Sequence, residues 1–209
     1  MNWKEYFDMM IDWKKLPAYK TEPRVDSLIG YYMTSILNDY LGEQIAGVIP
    51  ELPIRLGTVK PELEKSKHAE RSYKVDFFAV GSKEANYLVE FKTDTSSRRD
   101  NQDEYLEISK KLGTKPIVDG ILKISDVSSY KKKYNHLKNK LLDIGILNNQ
   151  FQYSDKNEQL EIVYVQPSNY QNEELVIDFN WIADWLDKKT DKSNFETELA
   201  IALRKWSTD

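Results

Sequence analysis

Between residues 72 and 92 the apolar positions recur every second residue, a period that suits extended chain and no helix. Tyr73, Val75, Phe77 and Ala79 alternate with Lys74, Asp76, Phe78 and Val80. The run Gly81-Ser82-Lys83-Glu84-Ala85-Asn86 supplies a turn, and Tyr87, Leu88, Val89, Glu90, Phe91 and Lys92 resume the strand. This is a β-hairpin, and the rest of the chain has to be arranged around it.

What surrounds it is mostly helical. Trp3, Tyr6, Phe7, Met10 and Trp13 fall at helical spacing, which predicts a short amphipathic helix ending near Pro17. After the connector 20–23, Val25, Leu28, Ile29, Tyr32, Met33, Ile36, Leu37 and Tyr40 repeat at three and four, with Gly42 as a stop. Residues 48–56, with two prolines, predict an edge strand, and 59–70 a polar connection rich in Lys and Glu. Beyond the hairpin, a helix is expected from Ser96 or Ser97 to Gly113 and another over 129–142. Strands follow at 160–165, stopped by Pro167, and at 175–179, then helices at 180–188 and 194–206. The expected class is α/β (α+β), a small mixed sheet flanked by helices with the hairpin in its middle. One domain over 1–209 is expected, with 1–20 an N-terminal helical extension and 180–209 C-terminal helices.

Composition narrows the chemistry. Five Trp, thirteen Tyr and seven Phe supply the apolar area that disordered chains lack. The absence of cysteine excludes disulfides, thiol nucleophiles and thiolate metal sites. His68 and His136 are the only imidazoles, and neither has a neighbour at ligand spacing, so a metal site would be built mainly from carboxylates, which suits Mg²⁺, Mn²⁺ or Ca²⁺. No apolar stretch approaches the 18 or more residues of a membrane span, and a cytoplasmic location is expected.

Three polar residues interrupt the hairpin strands: Asp76, Glu90 and Lys92. Glu90 and Lys92 are two apart, so their side chains leave one face roughly 7 Å from each other. Asp76 joins that face only if the paired residue numbers of the hairpin sum to an even number. Two carboxylates and a lysine so arranged suit metal-assisted phosphodiester hydrolysis. Asp76, Glu90 and the backbone carbonyl of Phe91 can hold Mg²⁺ or Mn²⁺, and Lys92 can orient the attacking water or stabilise developing charge. From spacing alone, a cross-strand ion pair on a surface hairpin accounts for the same residues.

An Asp on one strand, Glu-x-Lys on the next, and then a helix carrying Gln102 and Tyr105 resembles the PD-(D/E)XK nuclease superfamily. The resemblance covers about residues 24 to 112, with the strand at 160–165 as a fourth core strand; Val75 stands where the motif's proline is usual. It implies a restriction-endonuclease-like core, a metal-dependent nuclease cleaving DNA with Mg²⁺ or Mn²⁺, and a catalytic set of Asp76, Glu90, Lys92 and Gln102, with Tyr105 on the same helical face. It also implies an acidic residue on the preceding helix, for which Asp26 is favoured over Glu22, Asp39 and Glu43; as an N-cap, Asp26 has an equally good structural role.

For nucleic-acid contact the chain offers Arg98 and Arg99 before the helix, and Lys131, Lys132 and Lys133 in a segment, 129–142, that also carries Lys138 and Lys140 and no acid until residue 143. A solvated helix face explains the lysines as well. The formal net charge of -4 supports a second reading, a noncatalytic module that keeps the nuclease fold to bind nucleic acid or a protein partner.

Overall fold

The computed structural model describes residues 2–13, 16, 22–83, 85–93, 100–168 and 175–208, the side chains of 22, 23, 100 and 101 excepted. In chain order the elements are α1 (Trp3–Trp13), α2 (Glu22–Leu41), β1 (Ile45–Arg55), α3 (Leu56–Val59), a 3₁₀ turn (Pro61–Leu63), β2 (Ser72–Gly81), β3 (Ala85–Phe91), α4 (Asp100–Leu112), α5 (Thr114–Val127), α6 (Lys131–Asp143), β4 (Gln159–Gln166), β5 (Val176–Asp178), α7 (Phe179–Asp187) and α8 (Asn194–Trp206). The molecule is thus mixed α/β, with one five-stranded mixed sheet flanked by helices. No helix among the described residues is long and apolar enough to cross a membrane.

The strand order is β1-β2-β3-β4-β5, which sets the hairpin at the centre and the proline-bearing β1 at an edge. An edge suits Pro50 and Pro53, which have no N–H to give to a second neighbour. The pairs β1–β2 and β2–β3 are antiparallel and β4–β5 is parallel. The sense of β3–β4 follows from one hydrogen bond, Lys92 N–H to the Val165 carbonyl at 2.8 Å. In an antiparallel ladder that bond would set Lys92 against Val165 and run β4 off the end of β3. In a parallel ladder it pairs 85–91 with 159–165 and Lys92 with Gln166, and the two strands match along their whole lengths. Pro167 has no N–H to continue the ladder, so it ends there.

Contacts group the chain into two compact units: Met1–Tyr40, Glu90–Arg99 and Val163–Asp209 form the first, and Leu41–Val89 and Asp100–Ile162 the second. In the first, α2 buries Val25, Ile29, Tyr32, Met33, Ile36 and Leu37 at helical spacing and ends at Gly42, whose φ of 63° carries no side-chain penalty. Aromatic contacts join α1 to α8, with Trp3 on Phe195 at 4.7 Å between ring centroids and Phe7 on Trp206 at 6.2 Å. Tyr40 donates to the Val176 carbonyl at 2.8 Å, and Phe91 stacks on Phe179 at 5.9 Å.

In the second unit the hairpin turn is tied down by side chains. Glu43 accepts from the Tyr87 hydroxyl and, at 3.0 Å, from the Lys83 N–H, while Asn157 donates to the Gly81 carbonyl at 2.7 Å. Helix α5 has no counterpart in the sequence reading, because Gly113, Pro116 and Gly120 all resemble breakers. Pro116 is only the third residue of the helix, where its missing N–H would be unpaired anyway. At Gly120 a β-carbon would lie 2.6 Å from Thr58 Oγ1, so glycine is what lets α5 approach α3. The expected polar connection at 59–70 begins with the last residue of α3 and contains the 3₁₀ turn.

A capping box opens α8: the Ser193 N–H donates to Glu196 at 2.9 Å, the Ser193 side chain accepts from the first helical turn, and Tyr32 donates to Glu196 at 2.8 Å. Burial pushes the Glu196 carboxyl up, but the hydrogen bonds from Ser193 and Tyr32 outweigh it and hold the pKa at about 2, below its ordinary 4.5. The stabilisation is therefore complete above about 4.5 and is lost as pH falls through about 2. Glu196→Gln should lower Tm at pH 7 by roughly 2–4 °C, for about 1 kcal/mol of lost capping, and this deficit should vanish toward pH 2. Melting curves from pH 7 to 2 test this, and a deficit independent of pH would contradict it.

Candidate functional site

Glu90 and Lys92 lie in the first unit, at the C-terminal end of β3. Their positions two apart put both side chains on one face, opposite to Phe91, and there Lys92 Nζ donates to Glu90 Oε1. Glu90 is 1% exposed and Lys92 3%. This is not the solvated surface pair that spacing alone allowed. Two charges this far from water lose more hydration than a surface pair does, and their attraction in a low-dielectric interior has to offset it.

Asp76 lies in the second unit, half-buried on β2. The β2–β3 pairs are Phe77 with Val89, Phe78 with Leu88, Ala79 with Tyr87 and Val80 with Asn86, and every pair of numbers has the same even total. Asp76 therefore shares its face with Phe78, Val80, Leu88 and Asn86, which is the register condition that the sequence set for it.

The acids of the preceding segment differ in what they hold. Asp39 accepts from Trp185 Nε1 at 2.6 Å, and Glu43 ties the hairpin turn. The Glu22 side chain lies outside the described residues. Asp26 is no N-cap: α2 starts four residues earlier, with Pro23 in its first turn, and Asp26 accepts from the N–H of its neighbour Ser27.

Gln102 and Tyr105 are on α4 in the second unit, Gln102 half-buried and Tyr105 buried. The Tyr105 ring stacks on Tyr73 at 3.5 Å between centroids, the two hydroxyls are hydrogen-bonded, and Lys60 Nζ lies 5.0 Å from the Tyr105 centroid. Burial and this hydrogen bond push the Tyr73 phenol up to about 12. Tyr105 is thus tied into the packing of β2. Arg98, Arg99 and the expected helix start at Ser96 or Ser97 lie outside the described residues. On α6, Lys132 and Lys133 are exposed, whereas Lys131 Nζ donates to the carbonyls of Ser125 at 2.9 Å and Asp126 at 2.6 Å, closing the C-terminus of α5.

Sequence reasoning missed two features. One is Arg55, 2% exposed at the end of β1, whose guanidinium bonds Glu70 and Glu64. It borders a cleft of about 390 Å³ together with Lys115, Asp119 and Lys123. The charges there pair with each other, Lys123 with Glu64 at 3.2 Å and Lys115 with Asp119 at 3.6 Å, so the cleft presents little net charge to a ligand. The other is Gln166, fully buried at the end of β4; the signal was a polar residue ending an apolar strand, the same signal that marked Lys92 on β3. Among the described residues no three or more Asp, Glu or His side chains are grouped to hold a metal ion. The expected ligand set needs fewer, two carboxylates and a backbone carbonyl.

The buried pair has a thermodynamic signature. Lys92→Met should leave Glu90 buried without its cation and lower stability by about 3–5 kcal/mol at pH 7, while Glu90→Gln combined with Lys92→Met should recover most of that loss. Urea denaturation of the single and double variants measures it. A single variant as stable as the parent chain would show that the two charges are not held together in the interior.

Comparison with known proteins adds no neighbour to this geometry: no family model matches the chain, and neither a curated protein nor a solved structure matches it.

Proposed function

We propose that the chain is a Mg²⁺- or Mn²⁺-dependent nuclease of the PD-(D/E)XK kind that hydrolyses phosphodiester bonds, with DNA as its substrate. The observation that carries this reading is the buried Glu90–Lys92 ion pair at the end of a central strand. Such a pair stabilises a fold no better than well-packed apolar side chains of the same volume, so its presence there fits chemistry better than architecture. The order of α2, the antiparallel β1–β3, α4 and then β4 supports a restriction-endonuclease-like core.

On this reading Glu90, Asp76 and the backbone carbonyl of Phe91 would hold the ion, as the nuclease resemblance implies. The donor set fits, because it consists of oxygens, as hard divalent cations require. When bound, the ion supplies Lewis acidity toward a phosphate oxygen and acidifies water. Lys92, held in place by Glu90, orients the attacking water and places positive charge where negative charge develops. Gln102 remains a further catalytic candidate on α4, and Tyr105, whose hydroxyl is bonded to Tyr73, acts by positioning.

The net charge of -4 favours the second reading, a noncatalytic module that binds nucleic acid or protein. A cleavage assay over double- and single-stranded DNA and RNA with Mg²⁺ or Mn²⁺ separates the two. Glu90→Gln should reduce cleavage by about 100-fold or more, since it removes a metal ligand. Full activity in Glu90→Gln would place the cleavage elsewhere, and a parent chain that neither cleaves nor binds Mn²⁺ would leave the module reading.

A further inference from the structure

In the parallel β3–β4 ladder Lys92 pairs with Gln166, and in the parallel β4–β5 ladder Gln166 pairs with Asp178. Directly paired residues of a parallel ladder point to the same side, so Gln166 shares the face of Glu90 and Lys92, with Tyr164 two residues before it on the same side. All of these residues belong to the first unit.

Gln166 is fully buried, and the two ends of its amide are treated differently. Nε2 donates to the Ser168 carbonyl at 3.0 Å, while Oε1 has no hydrogen-bond partner among the described residues. Reversing the amide would set two carbonyl oxygens against each other, so the bond to Ser168 fixes which atom is left over. Asp178 does not supply a donor, because its carboxylate accepts from the Trp181 N–H at 2.7 Å and caps α7. A buried carbonyl oxygen without a donor is costly, and an oxygen of this kind on the same face as a buried carboxylate is a donor that a cation could use.

We infer that Gln166 Oε1 is a further side-chain oxygen donor, alongside Glu90, for a divalent cation at the end of β3 and β4. This rests on the nuclease reading of the same face and adds a neutral ligand to it. The Ser168 carbonyl then acts as the partner that holds the amide in its ligating orientation.

The test is a Mn²⁺ titration by calorimetry on the full chain after chelator treatment, with no substrate present. The parent chain should bind Mn²⁺, and Gln166→Leu should weaken binding by about 10–100-fold while leaving the metal-free melting temperature unchanged or raised. Should Gln166→Leu fail to fold, Gln166→Glu carries the test, since it keeps the shape and makes the donor an anion, so Mn²⁺ affinity at pH 7 should rise. Unaltered affinity in Gln166→Leu, or no gain in Gln166→Glu, overturns the inference and leaves the nuclease reading standing. A parent chain that does not bind Mn²⁺ overturns both.

Discussion

Strand β3 is buried along its entire length, and that single constraint organises the rest of the sheet. A fully buried strand has to be hydrogen-bonded on both edges and covered on both faces, because an unpaired backbone group away from water costs about as much as a lost hydrogen bond. The two edges are met by different means. β2 is the other arm of a local hairpin, whereas β4 returns only after three helices, as a parallel partner requires. The turn between β2 and β3 is held by Glu43 and Asn157, residues far from it in sequence, so the register of the hairpin is fixed by tertiary contacts as well as by its own turn.

Within such a strand a charge has little freedom. Glu90 and Lys92 are bonded to each other away from water, and the same low dielectric that makes each charge costly strengthens their bond. The pair is a poor source of stability and a good source of preorganised electrostatics, since its geometry is set before any ligand arrives. Gln166 Oε1, which has no hydrogen-bond partner among the described residues, has the same character: a polar atom held in place by the bond from Nε2 to Ser168, on a face where the proposed chemistry would use it.

The parts of this structure that could be read from sequence are those in which one periodicity dominates. The hairpin, α2, α7 and α8 emerge within a few residues of their observed bounds because their apolar positions repeat without interruption. Helix α5 did not emerge, since Pro116 and Gly120 are breakers by composition but not by position; one lies in the first turn and the other makes room for Thr58. The start of α2 differs from the sequence expectation for the same reason: Pro23 has the composition of a connector, yet it lies in the first turn of the helix. Of the candidate site, the shared face of Glu90 and Lys92 follows from strand alternation, but their burial does not, because burial depends on β4 and on helices distant in sequence. Gln166 and Arg55 were invisible for a related reason: a residue's isolation or pairing depends on partners that no local pattern names.

Charge sets the remaining constraint on a nucleic-acid partner. The lysines of α6 looked like a +5 stripe, yet Lys131 is turned onto the last carbonyls of α5, and Lys133 and Lys138 lie 5.7 and 5.4 Å from the ring centroids of Tyr130 and Phe151. Part of the helix's basic character is thus already engaged in contacts within the second unit. In a chain of net charge -4 the nonspecific electrostatic attraction that supplies most loose binding to DNA is correspondingly weak. On the proposed reading, substrate affinity then has to come from a few close phosphate contacts and from a cation at the site itself. A divalent cation held by Glu90 would then serve affinity as well as chemistry, because it would add positive charge to the face that meets the phosphodiester.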